Sequence, residues 1–290
     1  MNKNLQAHLA LLFANLIYSA SFTIAKEVMP DFVKPSALVF LRVIGACSLF
    51  WIYSLFIKER VDKKHILHFF LLSICGVFLN QMMFLKGLSI TTPINAAIIM
   101  VTSPIVVVLL ALLTAREKFN TNTLFGVVLG FIGAAALLTL KSDLSFGTET
   151  MLGDLLILLN AVSWSIYIIY VKKYMLLYNT VTVLKWVFLF GLILVTPFSI
   201  GEVGDISFHL FTPRIWMFVL FIVVVTTFFA YLLNTYALKT LSSSVVSAYI
   251  YLQPLLATAI ALFAGKDSIS GIKIISALLI FLGVYLTSKK

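Results

Sequence analysis

Apolar residues gather in ten long stretches along this chain, at about 5–26, 35–57, 66–86, 93–114, 121–140, 152–171, 180–200, 213–235, 243–264 and 269–287, separated by short polar turns. A helix needs about 20 mostly apolar residues to cross a hydrocarbon core roughly 30 Å thick. Each stretch therefore predicts one transmembrane helix. Only the turns around 141–151 and 201–212 approach loop length, so no appended soluble domain is expected. Lys3 ahead of the first stretch, with small residues at Ser19-Ala20-Ser21, gives the outline of a signal peptide. That stretch is long enough to span and has a counterpart in the second half, so it reads as a retained first helix.

The polar and proline positions repeat. Residues 86–133 align without a gap on residues 236–283 at an offset of 150, with seven identities. Pro104 falls on Pro254, Ala111-Leu112 on Ala261-Leu262, Phe131 on Phe281 and Gly133 on Gly283. The charged turn Arg116-Glu117 falls on Lys266-Asp267. At an offset of 146 the first helices of the halves also match, placing Tyr18 on Trp164 and Lys26 on Lys172. Five spans per half is an odd number, so the halves enter the bilayer in opposite directions. The expected fold is an all-α membrane protein of ten transmembrane helices arranged as two inverted five-helix repeats, residues 1–144 and 145–290. Inverted repeats are a common plan for proteins that carry solutes, because two related halves close on either side of one midplane site.

Composition excludes the main alternatives. Hydrophobic residues make up 61% of the chain and charged ones 11%, against roughly 25% charged in soluble domains. The net charge of +10 does not signal a nucleic-acid partner, because the cations lie in short turns between apolar runs and form no basic face. Cys47 and Cys75 lie inside apolar runs and read as packing residues, not as a disulfide framework.

Orientation follows from the cations. With the N-terminus in the cytoplasm, twelve Lys and Arg fall inside and seven outside, while three acids fall inside and eight outside. Excess Lys and Arg mark the cytoplasmic side, and ten spans place both termini there. The expected location is the cytoplasmic (inner or plasma) membrane, with the lipid bilayer as surroundings.

These features together resemble the EamA-type transporters of the drug/metabolite transporter superfamily. Each half opens with a helix of small and aromatic residues (Ala14 to Phe22, Asn160 to Tyr167), and the third helix runs straight into a turn (Lys86-Gly87-Leu88-Ser89, Tyr236-Ala237-Leu238-Lys239). The fourth helix carries a mid-span proline (Thr102-Ser103-Pro104, Leu252-Gln253-Pro254), followed by the charged turn and a glycine-bearing fifth helix. The resemblance covers essentially the whole chain. It implies a cavity lined by helices one, three, four, six, eight and nine, and transport by rocking of the halves without a nucleotide-binding domain.

Polar groups within spans are costly and tend to serve function. Arg42 and Lys185 are corresponding early cations in helices two and seven, read either as buried functional charges or as residues that snorkel or pair structurally. Lys86 ends helix three, as a solute contact or an interface anchor. On the helices that the resemblance assigns to the cavity lie Asn80, Gln81, Asn95, Ser103, Asn234 and Gln253, with Tyr18, Trp164, Tyr167 and Tyr231 as aromatic wall candidates. Interhelical hydrogen bonding and core packing are the alternatives. Pro104 and Pro254 predict bends. Gly126, Gly130 and Gly133 form a small-residue stripe, for packing within the fold or across a homodimer.

No Asp or Glu lies deep in a span, the four histidines lack ligand spacing, and no phosphate-binding loop appears. Metal, cofactor and catalytic residues are therefore not expected. The resemblance implies a secondary transporter of a small organic metabolite, an amino acid or related compound, moved outward by alternating access. The rivals are metabolite uptake or exchange of an anion or nucleotide sugar (with Arg42, Lys86 and Lys185 as contacts), a membrane-embedded prenyl or acyl transferase, and a non-transporting sensor or assembly subunit.

Overall fold

In hydrocarbon a segment must satisfy its own backbone hydrogen bonds, which leaves helices as the solution for apolar runs of this length. The computed structural model describes residues 3–114, 120–139, 150–263 and 270–289. It contains the ten spans: α1 Lys3–Val28, α2 Pro35–Ser54, α3 Lys63–Ile90, α4 Pro93–Leu113, α5 Thr121–Thr139, α6 Met151–Leu177, α7 Thr180–Gly204, α8 Pro213–Ala237, α9 Ser243–Ile260 and α10 Gly271–Ser288. The charged turns at Arg116-Glu117 and Lys266-Asp267, and most of the turn around 141–151, lie outside the described residues.

The helices that outrun their apolar runs most are α3 and α6. α3 starts at Lys63 because the Asp62 side chain accepts from the Lys64 amide and caps it. α6 continues through Lys172-Lys173 to Leu177, since lysine stems can lie along the helix while their ammonium groups reach water.

Packing follows the repeat. α2 packs on α7 and α5 on α10, each helix against its own counterpart, while α1 packs on α8 and α3 on α6. The small-residue stripe of α5 is used within the fold. A Cβ built on Gly126 would lie 2.6 Å from the Gly283 carbonyl oxygen, and one on Gly133 would lie 2.8 Å from that of Ser276. At an offset of 150 Ser276 is the counterpart of Gly126 and Gly283 that of Gly133, so the contact is symmetric. That face is occupied by α10 and is not open to a second copy of the chain.

The second helices of the two halves are tied reciprocally. Glu202, near the end of α7, accepts from the amides of Ser36 (2.9 Å) and Ala37 (3.3 Å) at the start of α2. Glu59, just after α2, accepts from the Asn179 amide (3.0 Å) at the start of α7. Carboxylates there satisfy unpaired amides and complement the positive helix end. Beside the first of these, Lys34 and Asp205 form an exposed ion pair of 2.6 Å, and the hydrogen bond that Lys34 donates to Asp205 holds its ammonium pKa above the usual lysine value. Each of Glu202→Ala and Glu59→Ala is expected to cost about 1 kcal/mol, read as a lower thermal midpoint in detergent. An unmoved midpoint would show that water replaces the carboxylate without loss.

Irregular helix occurs at corresponding places. α3 widens into a π-helical segment at Ile74–Leu79 and α8 at Phe221–Phe229. α4 is interrupted at Val101-Thr102 before Pro104, and α9 narrows to a 3₁₀ turn at Tyr249–Tyr251 before Pro254. Both interruptions lie just before the prolines. A proline lacks the N–H that would bond the carbonyl four residues back, here that of Met100 or Ile250.

Candidate functional site

Where these irregular segments meet, the bundle encloses a central cavity of about 80 Å³. Its wall draws on α1, α2, α3, α4, α6, α8 and α9. Tyr18 and Trp164 line it, as do Met100 and Ile250. Each pair relates by the repeat offset, so the cavity lies between the two halves.

The polar wall is built by hydrogen bonds between helices. The Asn160 side-chain amide donates to the Asn80 carbonyl (2.6 Å), joining α6 to α3. The Tyr231 hydroxyl is shared between Asn80 Oδ1 (2.9 Å) and the Gly76 carbonyl (3.0 Å), joining α8 to α3. Gln253 donates to Asn15 Oδ1 (2.8 Å), joining α9 to α1. The Trp164 ring meets Tyr231 edge-on at 5.6 Å. Arg42 reaches the wall from α2, 6% exposed, and its Nε donates to Thr227 Oγ1 (2.9 Å). Thr227 in turn donates to the carbonyl of Ile222, five residues back. That spacing belongs to the π-helical segment, which thus seats the arginine.

Two acceptors on this wall stay unused. Asn160 Oδ1 and Thr226 Oγ1 are buried and have no hydrogen-bond partner among the described residues. Arg42 is the single formal charge on the lining, and among the described residues no carboxylate pairs with it.

The two ends of the cavity differ. Towards the end of the bundle that carries the N-terminus, α9 is buried from Ser243 to Tyr251. There His8 hydrogen-bonds the Tyr249 hydroxyl (2.7 Å), and Tyr236 donates to Gln6 (3.1 Å). Towards the other end, a crevice of about 160 Å³ runs between α1, α4, α5 and α9, lined by Pro93, Ala97, Leu137 and Pro254 among others. It shares Phe22, Ile250 and Gln253 with the central cavity. A larger groove of about 490 Å³ lies apart, flanked by Tyr53, Phe56 and Lys239. With Phe56 83% exposed, it is a surface feature away from the polar wall.

Of the candidates read from the sequence, Tyr18, Asn80, Trp164, Tyr231, Asn234 and Gln253 line the cavity, and Arg42 joins them. The others do not. Gln81 and Asn95 are buried away from it, and Ser103 contacts Ser165 on α6 (3.3 Å). Tyr167 packs against Trp164 and over Gly76, where a Cβ would lie 2.2 Å from its ring. Lys86 is exposed, and Lys185 sits 5.0 Å over the Trp51 ring. Pro104 is buried, while Pro254 lines the crevice. Asn15, Asn160 and Thr226 were missed as wall residues, although Asn15 and Asn160 are mid-span amides of the same kind as Asn80.

The sequence profile of the EamA-like transporter family matches residues 5–139 and again 151–289. The chain belongs to the EamA-like transporter family. This makes it a multi-pass membrane transporter of the drug/metabolite superfamily, and points away from an enzyme. An uncharacterized transporter of Archaeoglobus fulgidus is 28% identical over 291 residues, covering 99% of each chain. The uncharacterized transporter YyaM of Bacillus subtilis is 25% identical over 290 residues, covering 99% of this chain and 94% of its own. A solved crystal structure superposes with a TM-score of 0.78 at 20% identity, over 97% of this chain and 95% of the other, a likeness of fold alone.

Proposed function

We propose that this EamA-family protein is a secondary transporter that carries a small organic metabolite, an amino acid or related compound, through the central cavity by alternating access. The observation that carries the reading is the cavity itself. A polar wall sits between two related halves, with buried α9 residues at one end and a crevice that shares Phe22, Ile250 and Gln253 at the other. Five spans per half and the excess of cations on one side support opposite orientations for the halves, with both termini in the cytoplasm of a cell bounded by this membrane. On that orientation the end held by the His8–Tyr249 contact faces the cytoplasm and the crevice faces outward.

The irregular segments supply the moving parts. In this state the inner half of α4 (Ser103–Leu113) packs on α6 and on the start of α9, whereas the crevice separates the outer halves of α4 and α9. Exchanging the roles of the halves would bring the outer segments together and part the inner ones, with Pro104 and Pro254 as the bends. Export is the direction the family resemblance favours. Exchange of a nucleotide sugar is less well supported, because neither Lys86 nor Lys185 reaches the wall.

Reconstituted protein tests the proposal. Proteoliposomes loaded with a mixture of amino acids should take up at least one labelled amino acid by counterflow, above empty liposomes. The same assay with and without a pH gradient reads proton coupling. Movement of nucleotide sugars with no amino-acid flux would overturn the reading.

A further inference from the structure

Arg42 sets a chemical condition on the solute. A guanidinium stays charged inside a protein, and a buried charge without a partner is strongly destabilising. Arg42 is nevertheless buried on the cavity wall, with its Nε on a neutral hydroxyl and no carboxylate partner among the described residues. The Thr227 bond fixes one nitrogen and orients the end of the fork, the geometry that grips a carboxylate with two parallel hydrogen bonds. A single positive charge balances a single negative one. A cationic solute that carries no anionic group would leave this charge unpaired and add to it.

The second condition comes from the unused acceptors. Asn160 is 2% exposed and Thr226 is 2% exposed. Both line the cavity, and their side-chain oxygens lack partners among the described residues. A buried acceptor left unpaired carries a desolvation penalty that a hydrogen-bond donor on the solute would relieve. The Asn160 amide nitrogen is committed to the Asn80 carbonyl, so it is the oxygen that stays unpaired, and it meets a solute once the wall opens around it.

We infer that the transported solute is a small monocarboxylate bearing at least one hydrogen-bond donor, an amino acid or a hydroxy acid, with its carboxylate on Arg42 and its donor on Asn160 Oδ1. This rests on the transport reading above and narrows it to a solute class.

The test is counterflow in proteoliposomes with four labelled pools: amino acids, short hydroxy acids, the amines left by decarboxylating the amino acids, and neutral sugars. One or both carboxylate pools should move, and the one that does separates the two sources of the carboxylate. Amines and sugars should stay at background. Arg42→Gln should lower kcat/KM for the moving acid about 30-fold or more, as loss of one partner of a buried charge pair does. Arg42→Lys should fall between, and Thr227→Val should raise KM with little change in maximal rate. If Arg42→Gln does not fold, Arg42→Lys and Thr227→Val carry the test, and unchanged KM in both overturns the inference. Flux of amines or sugars that is indifferent to Arg42 would also overturn it while leaving transport intact. If folded wild-type protein moves none of the four pools, the transport reading and this inference fall together.

Discussion

Replacing Gly283 with valine should remove folded protein from the membrane. A Cβ at Gly283 would lie 2.6 Å from the Gly126 carbonyl oxygen and 2.6 Å from the Gly130 amide nitrogen. Both are backbone atoms of α5, so no rotamer change relieves the clash, and the helices must separate. Bringing backbones together is how helices associate in lipid, where no hydrophobic force holds them. α5 and α10 pack closely along their length, so separation is felt at several turns, including Gly133 against Ser276. Overpacking of this kind costs typically 1–3 kcal/mol or more, and about 1.4 kcal/mol is already tenfold in population. The expected result is a loss of about tenfold or more in monodisperse protein on gel filtration, with Gly283→Ala showing the same defect in weaker form. Gly201→Ala is the control, because a Cβ there meets nothing within 4 Å. A normal yield of Gly283→Val would mean that α5 and α10 do not pack as described.

The spans were legible in the sequence because length and apolarity alone decide them. The cavity wall was legible only in part. Helices that are apolar on most sides give weak facing signals, so the resemblance could name the cavity helices without naming their inward positions. At about 100° per residue, Lys86 lies six positions and about 240° from Asn80, which turns it to the exposed side. The π-helical segments shift the phase of α3 and α8 again just before Asn80 and Tyr231, and nothing in Ile74–Leu79 or Phe221–Phe229 announces them. Arg42 was set apart as a buried cation on a helix outside the expected wall. Its long side chain carries the charge inward from α2. Its counterpart Lys185 instead rests on Trp51, so here the repeat gives a false guide. The repeat was a better guide where the backbone is concerned: Pro104 with Pro254, Gly133 with Gly283, and Met100 with Ile250 all occupy matching places.

Equivalent loops of the two halves should face opposite sides of the membrane. Lys58 follows α2 and Ser207 follows α7, the second helices of the two halves, and both loops carry residues of the reciprocal carboxylate ties at Glu59 and Glu202. Alternating access between matched halves depends on this opposition, because one cavity then meets equivalent gates from either side. On the proposed orientation Lys58 faces the cytoplasm and Ser207 the outside. The direct measurement is thiol labelling of intact cells with a membrane-impermeant maleimide, in a background where Cys47 and Cys75 are alanine. Ser207→Cys should label in intact cells, and Lys58→Cys only after the membrane is opened. Labelling of both from the same side would contradict the inverted arrangement, and with it the account of how the central cavity is reached.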